Sequence, residues 1–393
     1  MRITFGSFAS LVLVGAFATL ACNHDGNGPT GASSVYDAQA SLMSCGTNTS
    51  FFTAIPFEAT RIGGWVPLGN LNPPAHSFPT DHQYIYLNGF SSGAVPAIPL
   101  YSPGDVTILY AKVTRYIQGG TVPEDYGVGF SPCAQVNAEF SHVRTIAPAI
   151  LAQIGPFDQN CSNYSPNPGV VVQGCYSRNV KVAVKSGDVL GTAAGLDLSF
   201  FDSRIARLVF ANPARWQANP NGIDRFHTAP MSDYYAEPMR SVVQSMLGSY
   251  DGRVKRTIAP IGGTIATDVA GTLQGAWFNP SQPTFPESPH LAIVPFNVDP
   301  TRIHVAMGTS QPGFLANEYY VSTASGPNIN PNPAQVTPGA QIICYQFENQ
   351  YGIALLQLSD ATTLRFEGRD GQQRTCTSEQ PWAFTASAVT FKR

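Results

Sequence analysis

The residues best suited to chemistry lie in "HSFPTDHQYIYL", residues 76–87. Here His76, Asp81 and His82 fall within seven positions of a chain that has only 7 histidines. Imidazole and carboxylate both ligate Zn²⁺, so His76 with Asp81 or His82 offers part of a metal site that needs a further ligand from elsewhere. The same residues also suit a plain hydrogen-bonded turn. Pro73 and Pro74 hold the approach extended. If a strand opens at Asp81, alternation sends Asp81 and His82 to opposite faces.

Other candidates carry less. Ser91 and Ser92 in "GFSSG" (89–93) match a nucleophile elbow in form, but the prolines of "AVPAIPLYSP" exclude the helix that must follow. His227, His290 and His304 stand apart without ligand spacing and read as structural histidines with satisfied nitrogens. "TDVAGTLQG" (267–275) lacks the Gly-Lys-Ser/Thr end of a phosphate loop, so Asp268 reads as a turn cap. Trp277, Phe278 and Trp382 read as core.

The elements that must position these residues are mostly strands. Gly 36 and Pro 32, spread among short apolar runs, imply a mainly β protein, and 43% hydrophobic residues suffice for a core. Charged residues make up 12% and the net charge is -3, a balance that leaves no basic surface for nucleic acid. Strands are expected over 106–117, 134–143 and 179–193, the last broken by a Ser-Gly-Asp turn. Further strands are expected over 341–347, 353–359, 363–369 and 384–393. Short helices are expected at 147–155 and 237–252, the second opened by Pro238 and stopped by Gly248. "ANPARWQANPNG" (211–222) suggests a boundary, dividing a β domain over 45–210 from a β-rich domain with one helix over 211–393. The segment 322–340 is too polar and proline-rich to be expected in a packed layer.

Arg2, the apolar run from Ile3 to Leu20 and the small residues that follow predict a secretory signal over 1–21. "ATLAC" resembles a lipoprotein signal, which makes Cys22 the lipidation site, residues 22–44 a tether, and the chain an exported, membrane-anchored protein of the bacterial envelope. Six cysteines remain. Short loops favour Cys161–Cys175 and Cys344–Cys376, leaving Cys45–Cys133. No CxxC pair exists for a thiolate zinc site.

The order of motifs over about 65–205 resembles the M23 family of zinc metallopeptidases, the lysostaphin/LytM-type cell-wall endopeptidases. The words are His-x4-Asp opening a strand, "PLYSPGDVTILYAKV", "DYGVGFSPCAQVNAEFSHV" and "VAVKSGDVLGTAAGLDLSFFD". The resemblance implies a β-sandwich of the duplicated hybrid type, a zinc or other divalent ion, and peptidoglycan peptides as substrate. It places His76 and Asp81 on the first two metal ligands, or His82 in place of Asp81 if the extra residue shifts the register. His142 falls on the catalytic histidine that stabilises the oxyanion. Where the family has a last His-x-His, this chain has Gly195-Leu196-Asp197. Asp197 therefore becomes the third ligand, and Gly195 supplies no catalytic group, which also suits a relative that binds peptidoglycan without cleaving it. A carbohydrate-binding surface protein is the third expectation.

Overall fold

The computed structural model describes residues 38–93, 95–119, 124–164, 170–217, 225–371 and 373–393. The expected signal segment, Cys22 and the tether as far as residue 37 lie outside the described residues. The chain is mainly β. Strands β1 (Ile62–Val66), β2 (His82–Leu87), β3 (Ile98–Tyr101), β4 (Val106–Gln118), β5 (Asp125–Cys133), β6 (Val136–Ile146), β7 (Gln159–Tyr164), β8 (Val171–Val184) and β9 (Val189–Asp202) form one antiparallel sheet. Its order is β1-β2-β9-β6-β5-β4-β8-β7, with β3 on the first part of β9. The stretch expected as a strand over 179–193 is the β8–β9 hairpin, where the Lys185 N–H donates to Asp188 Oδ2 in the turn.

Period-two alternation sets the faces of this sheet. Ile85 and Leu87 of β2, Ala138 and Phe140 of β6, and Leu196, Leu198 and Phe200 of β9 enter one core. The residues between them, His82, Tyr84, Glu139, Ser141 and Asp197, are thereby turned to the opposite, polar face. Helix α1 (Pro148–Ile154) adds Ile150 and Ile154 to the core. Met231, Tyr235, Val243 and Leu247 join it from beyond residue 210, Val243 from helix α3 (Met239–Met246).

Two further antiparallel sheets follow, each of four strands in chain order. The first is β10 (Gly275–Trp277), β11 (Leu291–Pro295), β12 (Ile303–Met307) and β13 (Asn317–Tyr320). The second is β14 (Ile343–Gln346), β15 (Ile353–Asp360), β16 (Thr363–Arg369) and β17 (Val389–Lys392). They share a core in which Trp277, Leu291 and Ile293 meet Tyr345, Leu356 and Phe366. Strand β11 is an unbroken apolar run because both its faces are buried. Its Ala292 and Val294 pack in a separate cluster with Phe78, Trp216 and Phe278. Trp216 lies on the short helix α2 (Pro213–Gln217), inside the stretch whose prolines suggested a boundary, yet is 1% exposed.

The segment 322–340 differs from expectation, since it packs. Ile329 is buried beside Cys344, and Val336 enters the core with Leu273. Asn330 Nδ2 donates to the carbonyls of Ser322 and Ala324, so a polar side chain satisfies the backbone there. The three disulfides are Cys45–Cys133, Cys161–Cys175 and Cys344–Cys376, as loop lengths and remainder predict.

Candidate functional site

Two register changes create the site. On one edge of β9, Ser141 of β6 pairs with Asp197, but the next pair is Val143 with Ala193. His142 drops out of the ladder with φ 66°, a left-handed conformation uncommon for any residue but glycine. On the other edge, β9 exchanges partners: Gly195 pairs with Tyr86 of β2, and Ala193 with Ile98 of β3. The chain between β2 and β3, with its short 3-10 turn Phe90–Ser92, walls the gap. The result is a pocket of about 370 Å³, lined among others by Tyr86, Phe90, Val95, His142, Arg144 and Asp197.

The polar end of the pocket is a chain of paired groups. His142 Nδ1 lies 2.7 Å from Asp125 Oδ2, and Nε2 lies 3.2 Å from Asp197 Oδ2. His82 Nε2 lies 3.6 Å from the same Asp197 oxygen and 2.9 Å from the Tyr84 hydroxyl. His82 Nδ1 lies 3.2 Å from Asp81 Oδ1. Asp81 precedes the strand, so the alternation expected to part it from His82 does not apply; it also accepts from Arg225 Nη1 at 3.1 Å. The rings of His76 and His82 stand 5.1 Å apart, and His76 Nδ1 is 3.9 Å from Glu287 Oε2. Structure thus brings His142, Asp197 and His82 together, sets His76 beside them, and ties Asp81 to Arg225.

Electrostatics separate these groups. Burial opposes charge on His142, but Asp125 and Asp197 outweigh it and hold the imidazole well above its ordinary value. Burial also opposes charge on Asp197; His142 and His82 overcome it and hold the carboxyl below the usual carboxylate range. For His82, the bond to Asp81 and the charge of Asp197 outweigh burial and raise it. His76 goes the other way, lowered to about 3 by burial and by the neighbouring His82. Burial pushes Glu287 up to about 7. The site therefore favours charge on His142 and, to a lesser degree, on His82 beside their carboxylates, and disfavours it on His76.

Gly195 has φ 147°, and a Cβ built there meets the Ile85 carbonyl oxygen at 3.0 Å. The position where the M23 resemblance looks for a second catalytic histidine is thus strained for any side chain. Among the described residues, no group of three or more His, Cys, Asp or Glu side chains is placed to hold a metal ion. The nitrogens of His82 and His142 face carboxylate and phenol oxygens in place of a shared point about 2.0–2.2 Å from each. As placed, these groups satisfy one another, and the chemistry they offer is hydrogen bonding and proton transfer at His142 Nε2.

The other sequence candidates lie elsewhere. Asp268 caps a turn, accepting from the Ala211 and Ala276 N–H groups. His290 accepts from the Asn279 N–H and lies 2.9 Å from the Pro283 carbonyl. His304 Nδ1 lies 2.6 Å from Glu318 Oε1, but His304 Nε2 and His227 Nδ1 are buried with no hydrogen-bond partner among the described residues, so the expectation of satisfied nitrogens fails for these two. Asp125, Tyr84, Glu287, Arg225 and Arg144 escaped the reading of the sequence. Tyr84 was accessible to it, being two residues from His82 on one face. Asp125 required the β5–β6 register, and Glu287 lies 209 residues from Phe78, whose N–H donates to it.

Searches of protein-family models, of curated proteins and of solved structures each found no match to this chain.

Proposed function

We propose that the protein is an exported binding protein that holds a short peptide of the bacterial cell wall in the pocket over His142 and Asp197. The observation that carries this reading is a pocket with mainly apolar and aromatic walls that ends on the half-buried, hydrogen-bonded pair His142–Asp197. Such a site anchors a polar backbone while an apolar side chain is buried. Asp197 accepts an N–H of the bound peptide, and His142, held by Asp125, keeps Asp197 ionised and oriented. The M23-like order of motifs supports peptidoglycan as the source of the peptide, and the strain at Gly195 favours binding over cleavage. Three disulfides support an oxidising, exported setting, with Cys22 as the membrane anchor. Nucleic acid is not among the proposed partners.

Co-sedimentation with purified peptidoglycan tests this reading. Wild type is expected to bind, and Asp197→Asn to bind about tenfold or more weakly, since a charge-assisted hydrogen bond is lost. Absence of binding by wild type overturns the proposal.

A second reading is a metal-dependent endopeptidase with Zn²⁺ or another divalent cation at His76, Asp81, His82 and Asp197. It is favoured by the crowding of His142 and His82 nitrogens within 3.2 and 3.6 Å of one Asp197 oxygen. Stoichiometric metal uptake by chelator-stripped protein, with cleavage of peptidoglycan lost in His142→Ala, is its expected signature. No uptake of zinc, manganese or calcium rejects it.

A further inference from the structure

The pocket has a second charged end. Arg144 follows the His142 bulge on β6 and lines the pocket. Its guanidinium makes no hydrogen bond or ion pair with a described residue, although it sits half-buried. An unpaired guanidinium facing a largely apolar cavity is a ready partner for a carboxylate, which it can grip with two parallel hydrogen bonds.

We infer that Arg144 anchors the free C-terminal carboxylate of a peptide about three residues long, whose N–H end is held at Asp197. The inference rests on the peptide-binding reading and adds the ligand's terminus, direction and length. Length follows from the sheet. Asp197 lies opposite Ser141, and Arg144 is three residues further along β6. The backbone positions of the two residues are therefore about 10 Å apart along the strand, a distance that about three extended residues span at about 3.3–3.6 Å each. Val95, Ala97 and Ala194 also line the pocket, which suits small aliphatic side chains such as alanine. Phe90 and Tyr86, with ring centroids 4.4 Å apart, line the pocket beside them. The pocket is therefore cationic at Arg144 and closed at its other end by the paired His142 and Asp197, and a peptide with a free C-terminal carboxylate matches the Arg144 end in charge.

Calorimetric titration of the full exported chain with Ala-Ala-Ala and with its C-terminal amide tests the inference. The free acid is expected to bind at least about tenfold more tightly than the amide. Arg144→Gln is expected to weaken the acid to the level of the amide and leave the amide unchanged. Arg144→Lys should recover part of the preference, and unchanged thermal unfolding of both variants excludes a folding defect. Equal binding of acid and amide by wild type, or an Arg144→Gln variant that keeps the preference, overturns the carboxylate anchor. Failure of wild type to bind either peptide overturns it too. Co-sedimentation with peptidoglycan then shows separately whether the pocket reading stands.

Discussion

His142 shows how position converts an ordinary residue into a charged one. In the sequence it is one histidine in "FSHV"; in the fold it is clamped between Asp125 and Asp197 and raised by them against the cost of burial. A base raised in the fold stabilises below its unfolded value and loses that contribution as pH climbs through the folded one. His290 behaves in the opposite sense. Burial lowers it from 6.5 to about 4, so between those values the unfolded chain takes up a proton that the folded chain refuses. Its stability contribution is full above about 6.5 and falls as pH drops toward about 4. Denaturant unfolding measured from pH 7 to pH 4 should show this acid-side loss in wild type, and a shallower slope in His290→Asn. Identical slopes would show that His290 is not the group responsible. That His290 is structural was legible in its isolation in the sequence; that Asp125 pairs with His142 was not, because the two meet only through the β5–β6 register.

At the scale of elements, the strands were legible and their register was not. Alternation placed β4, β6, β15 and β16 closely, because burying one face of a pleated strand demands it. The functional feature lies where the pairing slips: the His142 bulge and the exchange of β2 for β3 along β9. Gly191 maintains the ladder on the near side of that slip. A Cβ there would stand 1.8 Å from the Thr145 carbonyl oxygen, part of the β6 backbone. Gly191→Ala is therefore expected to destabilise the protein by about 3 kcal/mol through overpacking, and to weaken peptide binding by shifting His142. A denaturation midpoint equal to wild type would refute this close packing. The loop over 322–340 marks the limit of composition as a guide. Its prolines and asparagines looked unpackable, but Asn330 satisfies the backbone locally and frees Ile329 and Val336 to be buried.

Across the whole molecule, apolar contacts tie distant parts of the chain together. Trp216 packs on Phe78 at 4.9 Å and Phe278 at 5.3 Å between ring centroids, and Arg225 lies over its ring. Arg225 also holds Asp81 and the Pro79 carbonyl, so the aromatic cluster underpins the approach to the site. Trp216→Ala is expected to cost about 3–5 kcal/mol and to lower peptide binding although Trp216 does not line the pocket. Calorimetric unfolding alongside titration would check both effects. The disulfides add a ranking. On the chain-entropy account, removing Cys45–Cys133, with a separation of 88 residues, should destabilise more than removing Cys161–Cys175, with a separation of 14. Denaturant unfolding of the paired Cys→Ala variants reads the order, and a reversed order would point to strain or residual structure as the dominant factor.

The sequence by itself determined what local physics governs. Alternation specified a mainly β chain, loop lengths pointed to the disulfide pairs, residue chemistry singled out His76, Asp81 and His82, and the resemblance to the M23 family added His142 and Asp197. Tertiary structure alone decided how these side chains meet. Which histidine faces Asp197, what pairs with Asp81, and that Arg144 is left to line a pocket all depend on strand order and on two breaks in register. A break in register leaves no local signature, because it is the sum of many distant pairings. For the same reason, Glu287 and Trp216 reach the site's surroundings only when the segment around Leu68, Leu71 and Phe78 packs on β11 and β12 from the second half of the chain.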